Sequence, residues 1–133
     1  MNHASEEQLA TLRSTLLRMS NLTLSALQRA VQALNEHNPS LAAEVIAGDN
    51  VIDRLEMEID DRVVRYMATR APIAKDSRLM LAASKIASSL ERIADQATSI
   101  ARNVLALGKE APLPVPASLP HMAVLATAML RMQ

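Results

Sequence analysis

The chain has 133 residues, with 14 Lys+Arg balanced by 14 Asp+Glu and a formal net charge of zero. Neutrality removes the basic excess a nucleic-acid binder carries, and the absence of cysteine excludes disulfides, thiolate metal sites and thiol catalysis. Half of the residues are hydrophobic, but Tyr66 is the only aromatic one, so a core can form while base-stacking platforms and aromatic cages cannot.

With two glycines and six prolines, the chain lacks the frequent turn residues of β-rich folds. Its Leu, Ala, Ile, Val and Met on a background of Glu, Arg and Gln predict an all-α protein. Glu6 and Glu7 interrupt the start, where a secretory signal would be apolar. Residues 111–130 are nearly free of charge, yet four prolines break them. The unbroken apolar part, 122–130, is far shorter than the roughly 20 residues of a spanning helix. A soluble cytoplasmic chain is the expectation.

The prolines mark the breaks. A first helix is expected over residues 5–37, where Leu9, Leu12, Leu16, Met19, Thr23, Ala26, Ala30, Ala33 and His37 recur at steps of three and four. Leu17, Leu24, Leu27, Val31 and Leu34 widen that seam into a core-facing stripe. Ser5 with Gln8 reads as a capping box, and His37 as a partner for the helix dipole at the C-terminal end. Asn38-Pro39 is a cap followed by proline at the first helical position. The second helix then runs over residues 39–69, with Leu41, Val45, Ile52, Leu55, Ile59, Val63 and Tyr66 as its apolar stripe. Gly48 reads as a point of close helix approach. Ala71-Pro72 breaks the chain again, and a third helix over 72–107 ends at a Gly108 cap. Asp76 and Arg78 read as an ion pair near its start, and the methionines at 19, 57, 67 and 80 as core filler.

Short breaks between long helices force antiparallel neighbours. Residues 5–108 therefore read as an up-down-up three-helix bundle of spectrin-like form. A stiff proline-rich linker follows at 109–117. A fourth, partial helix over 118–133 repeats part of the first, with Met122 on Leu9 and Met129-Leu130-Arg131-Met132 on Leu16-Leu17-Arg18-Met19. It carries no stop signal, so it reads as the first part of a second, truncated unit. Its stripe of Met122, Leu125, Met129 and Met132 is an apolar face for a second chain, making a dimer the expected state.

The chemistry lies in two acidic rows. At about 100° per residue, Asp49, Asp53, Glu56 and Asp60 share one edge of the second helix. The apolar stripe lies to one side of them and Ile46, Met57 and Val64 to the other, while Arg54, Arg62 and Arg65 point away. Like charges four residues apart repel, so a cation from elsewhere must compensate. The third helix carries a second pair, Glu91 and Asp95, with Ser84, Ser88, Thr98 and Arg102 on the same face. In antiparallel helices the two pairs can stand at one height and offer an all-oxygen ligand set suited to Mg, Ca, Mn or ferric iron. The alternative is a metal-free helical scaffold whose carboxylates form inter-helix salt bridges. No nucleophile–base pair, glycine-rich phosphate loop or Glu-x-x-His pair is present, which argues against an enzyme.

Asp49-x-x-x-Asp53 and Leu90-Glu91-Arg92-Ile93-Ala94-Asp95 resemble the paired E/D-x-x-x-D motifs of the PhoU family. Ala71-Pro72-Ile73-Ala74-Lys75-Asp76-Ser77-Arg78 is similar to that family's Q-P-V-A-x-D-L-R segment. The resemblance covers residues 9–108. It implies a non-enzymatic cytoplasmic repressor of the phosphate-starvation response, peripheral to the membrane through its partners, a phosphate ABC transporter and a phosphate-sensing histidine kinase. It also implies a metal cluster, described with iron or zinc, on Asp49, Asp53, Glu91 and Asp95; Glu56 and Asp60, on the same acidic row of the second helix, are candidates for additional ligands. Departures are Ala94, where the family commonly has glycine, Ser77 in place of the leucine of D-L-R, and a second unit that is nearly absent.

Overall fold

The computed structural model describes the backbone of residues 3–69 and 74–108, and the side chains of 5–69 and 75–108. The linker at 109–117 and the fourth helix expected over 118–133 lie outside them. Three helices make up the described chain: α1 (His3–Glu36), α2 (Pro39–Thr69) and α3 (Ala74–Leu107). Each packs on both others, giving the expected up-down-up bundle.

The corner between α1 and α2 is made by two residues. His37 takes a left-handed conformation, φ 53°. Asn38 then donates its N–H to the Ala33 carbonyl at 2.9 Å, closing the six-residue loop that satisfies a helix C-terminus. The same Asn38 starts α2: its side-chain Oδ1 accepts the Leu41 N–H at 3.1 Å and its carbonyl accepts the Ala42 N–H at 3.2 Å. Pro39 follows at the position where a missing N–H costs nothing. At the far end, Gly108 adopts φ 52° after α3, in keeping with its reading as a cap.

Several details differ from the sequence reading. Helix α1 begins at His3, so Ser5 lies inside it and does not cap it. Ser5 is buried against Tyr66, their hydroxyl oxygens 3.2 Å apart. The Tyr66 hydroxyl donates to Asp76 Oδ2 at 3.0 Å, tying α2 to the first turn of α3. Asp76 is therefore engaged by Tyr66 and not by Arg78, which is exposed and forms no ion pair among the described residues.

The core contains Leu12, Met19 and Leu27 from α1, Val45, Ile52, Leu55 and Ile59 from α2, and Met80, Leu90 and Val104 from α3. The buried line of α3 is Ala83, Ala87, Leu90, Ala94, Ala97, Ala101 and Val104, stepping by three and four and composed mainly of alanine. Small side chains there let α3 lie close to its neighbours. Met19 and Met80 are core residues, but Met57 and Met67 are exposed and fill nothing. Gly48 does not mark a close approach: a Cβ there would meet no atom within 4 Å.

Two measurements check this frame. Asn38→Ala removes the side-chain cap of α2 and should lower unfolding free energy by about 1 kcal/mol in a denaturant titration. Gly48→Ala adds a methyl in open space within α2, and should raise stability by about 0.5–1 kcal/mol. A destabilising Gly48→Ala would mean that the helices meet at this point.

Candidate metal centre

The register of α2 against α3 follows from the Tyr66–Asp76 bond. Each step back along α2 from Tyr66 is matched by a step forward along α3 from Asp76. This brings Asp53 and Asp49 within two residues of the level of Glu91 and Asp95. One oxygen from each of Asp49, Asp53, Glu91 and Asp95 lies within 4.8 Å of the others. Asp49, Asp53 and Glu91 are half-buried and Asp95 is exposed, so the cluster opens at the bundle surface.

Its inner wall lacks partners. Asp49 Oδ1 and Glu91 Oε2 are shielded from solvent and accept no hydrogen bond. Thr98, buried beside Asp49, donates its own hydroxyl to the Ala94 carbonyl at 3.0 Å. Among the described residues the ion pairs are Arg29–Glu44, Arg62–Glu58 and Arg65–Asp61, and none touches the cluster. Among the described residues, no inter-helix salt bridge is formed on these acidic rows. The cation nearest in effect is Arg102, an exposed side chain whose charge acts on Asp49.

Such crowding shifts proton affinities. Burial raises Glu91 most, and the neighbouring carboxylates of Asp53 and Asp95 add to it, pushing Glu91 up to about 9. Asp49 is raised by burial first and then by the charges of Asp53 and Asp95, against a smaller opposing pull from Thr98 and Arg102. Glu56 is raised by burial and by the charges of Asp60, Asp53 and Asp95. A proton on Glu91 and a bound cation are two solutions to one problem: four carboxyl groups that cannot all be ionised side by side.

Of the six carboxylates singled out in the sequence, the structure brings together four. Glu56 and Asp60 continue the α2 row toward Tyr66 but stand outside the cluster. The residues level with them on α3 are Ser88 and Ser84, which offer no carboxylate. The donor set is all oxygen, with two buried atoms awaiting a partner, and this fits a hard cation.

The chain is similar to known proteins over most of its length. Residues 16–104 match the profile of the family described as the PhoU domain. The chain is 39% identical over 107 residues to the "Phosphate-specific transport system accessory protein PhoU homolog" of Aquifex aeolicus, covering 80% of this chain and 48% of that one. It is 40% identical over 129 residues to the protein of the same name from Zymomonas mobilis, covering 96% and 54%. A Pseudomonas putida homologue is 40% identical over 116 residues, covering 85% and 45%. The chain spans about half the length of these curated relatives.

The proton on Glu91 makes a signed prediction. In EDTA the folded chain holds this proton up to about pH 9, whereas the unfolded chain releases it near 4.5. The folded state binds more protons between those values, so its stability falls as pH rises through that window. Glu91→Gln cannot ionise and escapes this loss. The stability of Glu91→Gln relative to wild type should climb steadily with pH; a flat or falling difference would show that Glu91 stays ionised in the fold.

Proposed function

The chain belongs to the PhoU domain family, and on that premise we propose that it is an accessory regulator of phosphate uptake and of the phosphate-starvation response. In this reading it is not an enzyme. It acts by binding the phosphate transporter and the phosphate-sensing histidine kinase from the cytoplasmic side, and it represses the response when phosphate is plentiful. No helix among the described residues is long and apolar enough to cross a membrane, which accords with attachment through partners. Dimerisation through residues 118–133 belongs to the same proposal.

The metal is the testable core of this reading. Asp49 and Asp53 from α2 and Glu91 and Asp95 from α3 are its ligands, because their oxygens converge while two of them lack partners. A bound cation offsets much of the negative charge of the four carboxylates and joins two helices that their own charges would push apart. The donor chemistry suits magnesium, manganese or ferric iron; zinc accepts carboxylates but more often takes nitrogen and sulfur. A metal requires its ligands deprotonated, so affinity rises with pH as Glu91 gives up its proton.

Elemental analysis of protein purified without a metal-affinity tag tests this, alongside the Asp53→Ala/Glu91→Ala double variant. The wild type is expected to carry metal and the variant none. EDTA should lower the melting temperature of the wild type but not that of the variant. Metal-free wild type whose stability is indifferent to added iron, manganese, magnesium and zinc would leave the helical scaffold as the better reading.

A further inference from the structure

Past the carboxylate cluster, α2 and α3 each carry exposed apolar side chains. At about 100° per residue, Glu56, Asp60 and Met67 share the edge of α2 that carries Asp49 and Asp53, and Val64 flanks that edge on the side away from the core. On α3, Leu81 shares the edge of Ser84, Ser88, Glu91 and Asp95. The register set by Tyr66 and Asp76 puts Leu81 level with the stretch of α2 between Asp60 and Val64. All three large apolar side chains are open: Val64 is 64% exposed, Leu81 58% and Met67 42%. Single exposed apolar residues are ordinary, whereas several at one height on neighbouring helices offer a contact surface.

Charge says what fits there. Glu56 and Asp60 lie between the apolar group and the cluster, and neither joins an ion pair among the described residues. A metal on Asp49, Asp53, Glu91 and Asp95 leaves these two uncompensated. Across the face, the outer side of α3 is basic, with exposed Arg78 and Lys85. A guest is therefore oriented, with its positive side toward α2. Apolar anchors at one end and carboxylates one to two turns away match the pattern of an amphipathic helix laid along a helical groove.

We propose that this α2–α3 face docks a basic amphipathic helix of a partner protein, its apolar side chains on Val64, Met67 and Leu81 and its Lys or Arg residues on Glu56 and Asp60. This rests on the reading of the chain as an accessory protein that works by binding partners, and does not require the metal. The acidic fringe speeds and orients encounter, and the apolar group holds the complex.

The probe is a fluorescein-labelled Leu/Lys amphipathic helical peptide, with a Leu/Glu peptide of the same apolar pattern as control. Anisotropy is followed with the full chain, both metal-loaded and EDTA-treated. The Leu/Lys peptide should bind with salt-sensitive affinity and the Leu/Glu peptide should not. Val64→Ser/Leu81→Ser should weaken binding about tenfold or more. Glu56→Gln/Asp60→Asn should weaken it similarly and flatten its salt dependence. All four positions are at least partly open to solvent, so the variants are expected to fold, which circular dichroism checks. Binding that ignores both variants overturns the proposal. So does a wild-type dimer, seen by sedimentation, that Val64→Ser/Leu81→Ser dissolves, because a second copy would then own the face. Metal content measured on the same samples separates failure of this surface from failure of the metal reading.

Discussion

The closeness of α3 to α2 governs everything at the carboxylate cluster, and alanine sets it. Ala83, Ala87, Ala94, Ala97 and Ala101 line the buried edge of α3 with side chains that hold no helix away. Glu91 and Asp95 each follow a buried residue, Leu90 and Ala94, by one position. A side chain one step beyond the seam emerges at the rim of the interface, where it is only partly hydrated. Asp49 and Asp53 reach the same rim from α2. The tight seam thus turns two ordinary i, i+4 pairs into one site. Ala94, a methyl larger than the glycine common in the family, is fully buried there and is accommodated by the packing.

That closeness carries an electrostatic cost, and the molecule meets it in an unusual way. Exposed acidic rows on helices are usually balanced by Arg or Lys one turn away, as Arg62 balances Glu58 and Arg65 balances Asp61 on the other side of α2. Those pairs leave α2 with a self-compensated flank toward α1 and an uncompensated one toward α3. A network of polar groups that is only half satisfied is less favourable than none. Its survival in a well-packed bundle is understandable when the missing member is a cation supplied from solution. In the metal-bound form proposed above, the cation would join α2 to α3, the two elements that carry the four carboxylates.

Much of this was legible in the residues. Proline, Asn38 and Gly108 punctuate long stretches of helical periodicity, so the helices and their antiparallel order followed from local chemistry alone. The four convergent carboxylates were legible too, because two acidic pairs at one height on neighbouring helices can hardly avoid each other. Glu56 and Asp60 looked equivalent to Asp49 and Asp53 along α2. What separates them is the residue opposite, a serine in place of an acid, and that depends on register. The Tyr66–Asp76 bond was hidden for the same reason: side chains of two helices must be aligned before they can be seen to meet. Gly48 shows the reverse failure, since a missing side chain suggests contact until the space around it is known to be empty.

Because the cluster is divided between α2 and α3 and owes nothing to α1, the chain tolerates changes of length very unevenly. One residue inserted into α2 between Asp53 and Tyr66 turns Asp49 and Asp53 by about 100° relative to the rest of the helix and carries them about 1.5 Å along its axis. The two acidic pairs would then face different directions, although composition, charge and helix content would scarcely change. An insertion near the start of α1 leaves both pairs where they are. Deletions and insertions among natural relatives should therefore be scarce between Asp49 and Asp95 and freer outside that interval. Spacing, more than the identity of any one acid, is the inheritable specification of this site.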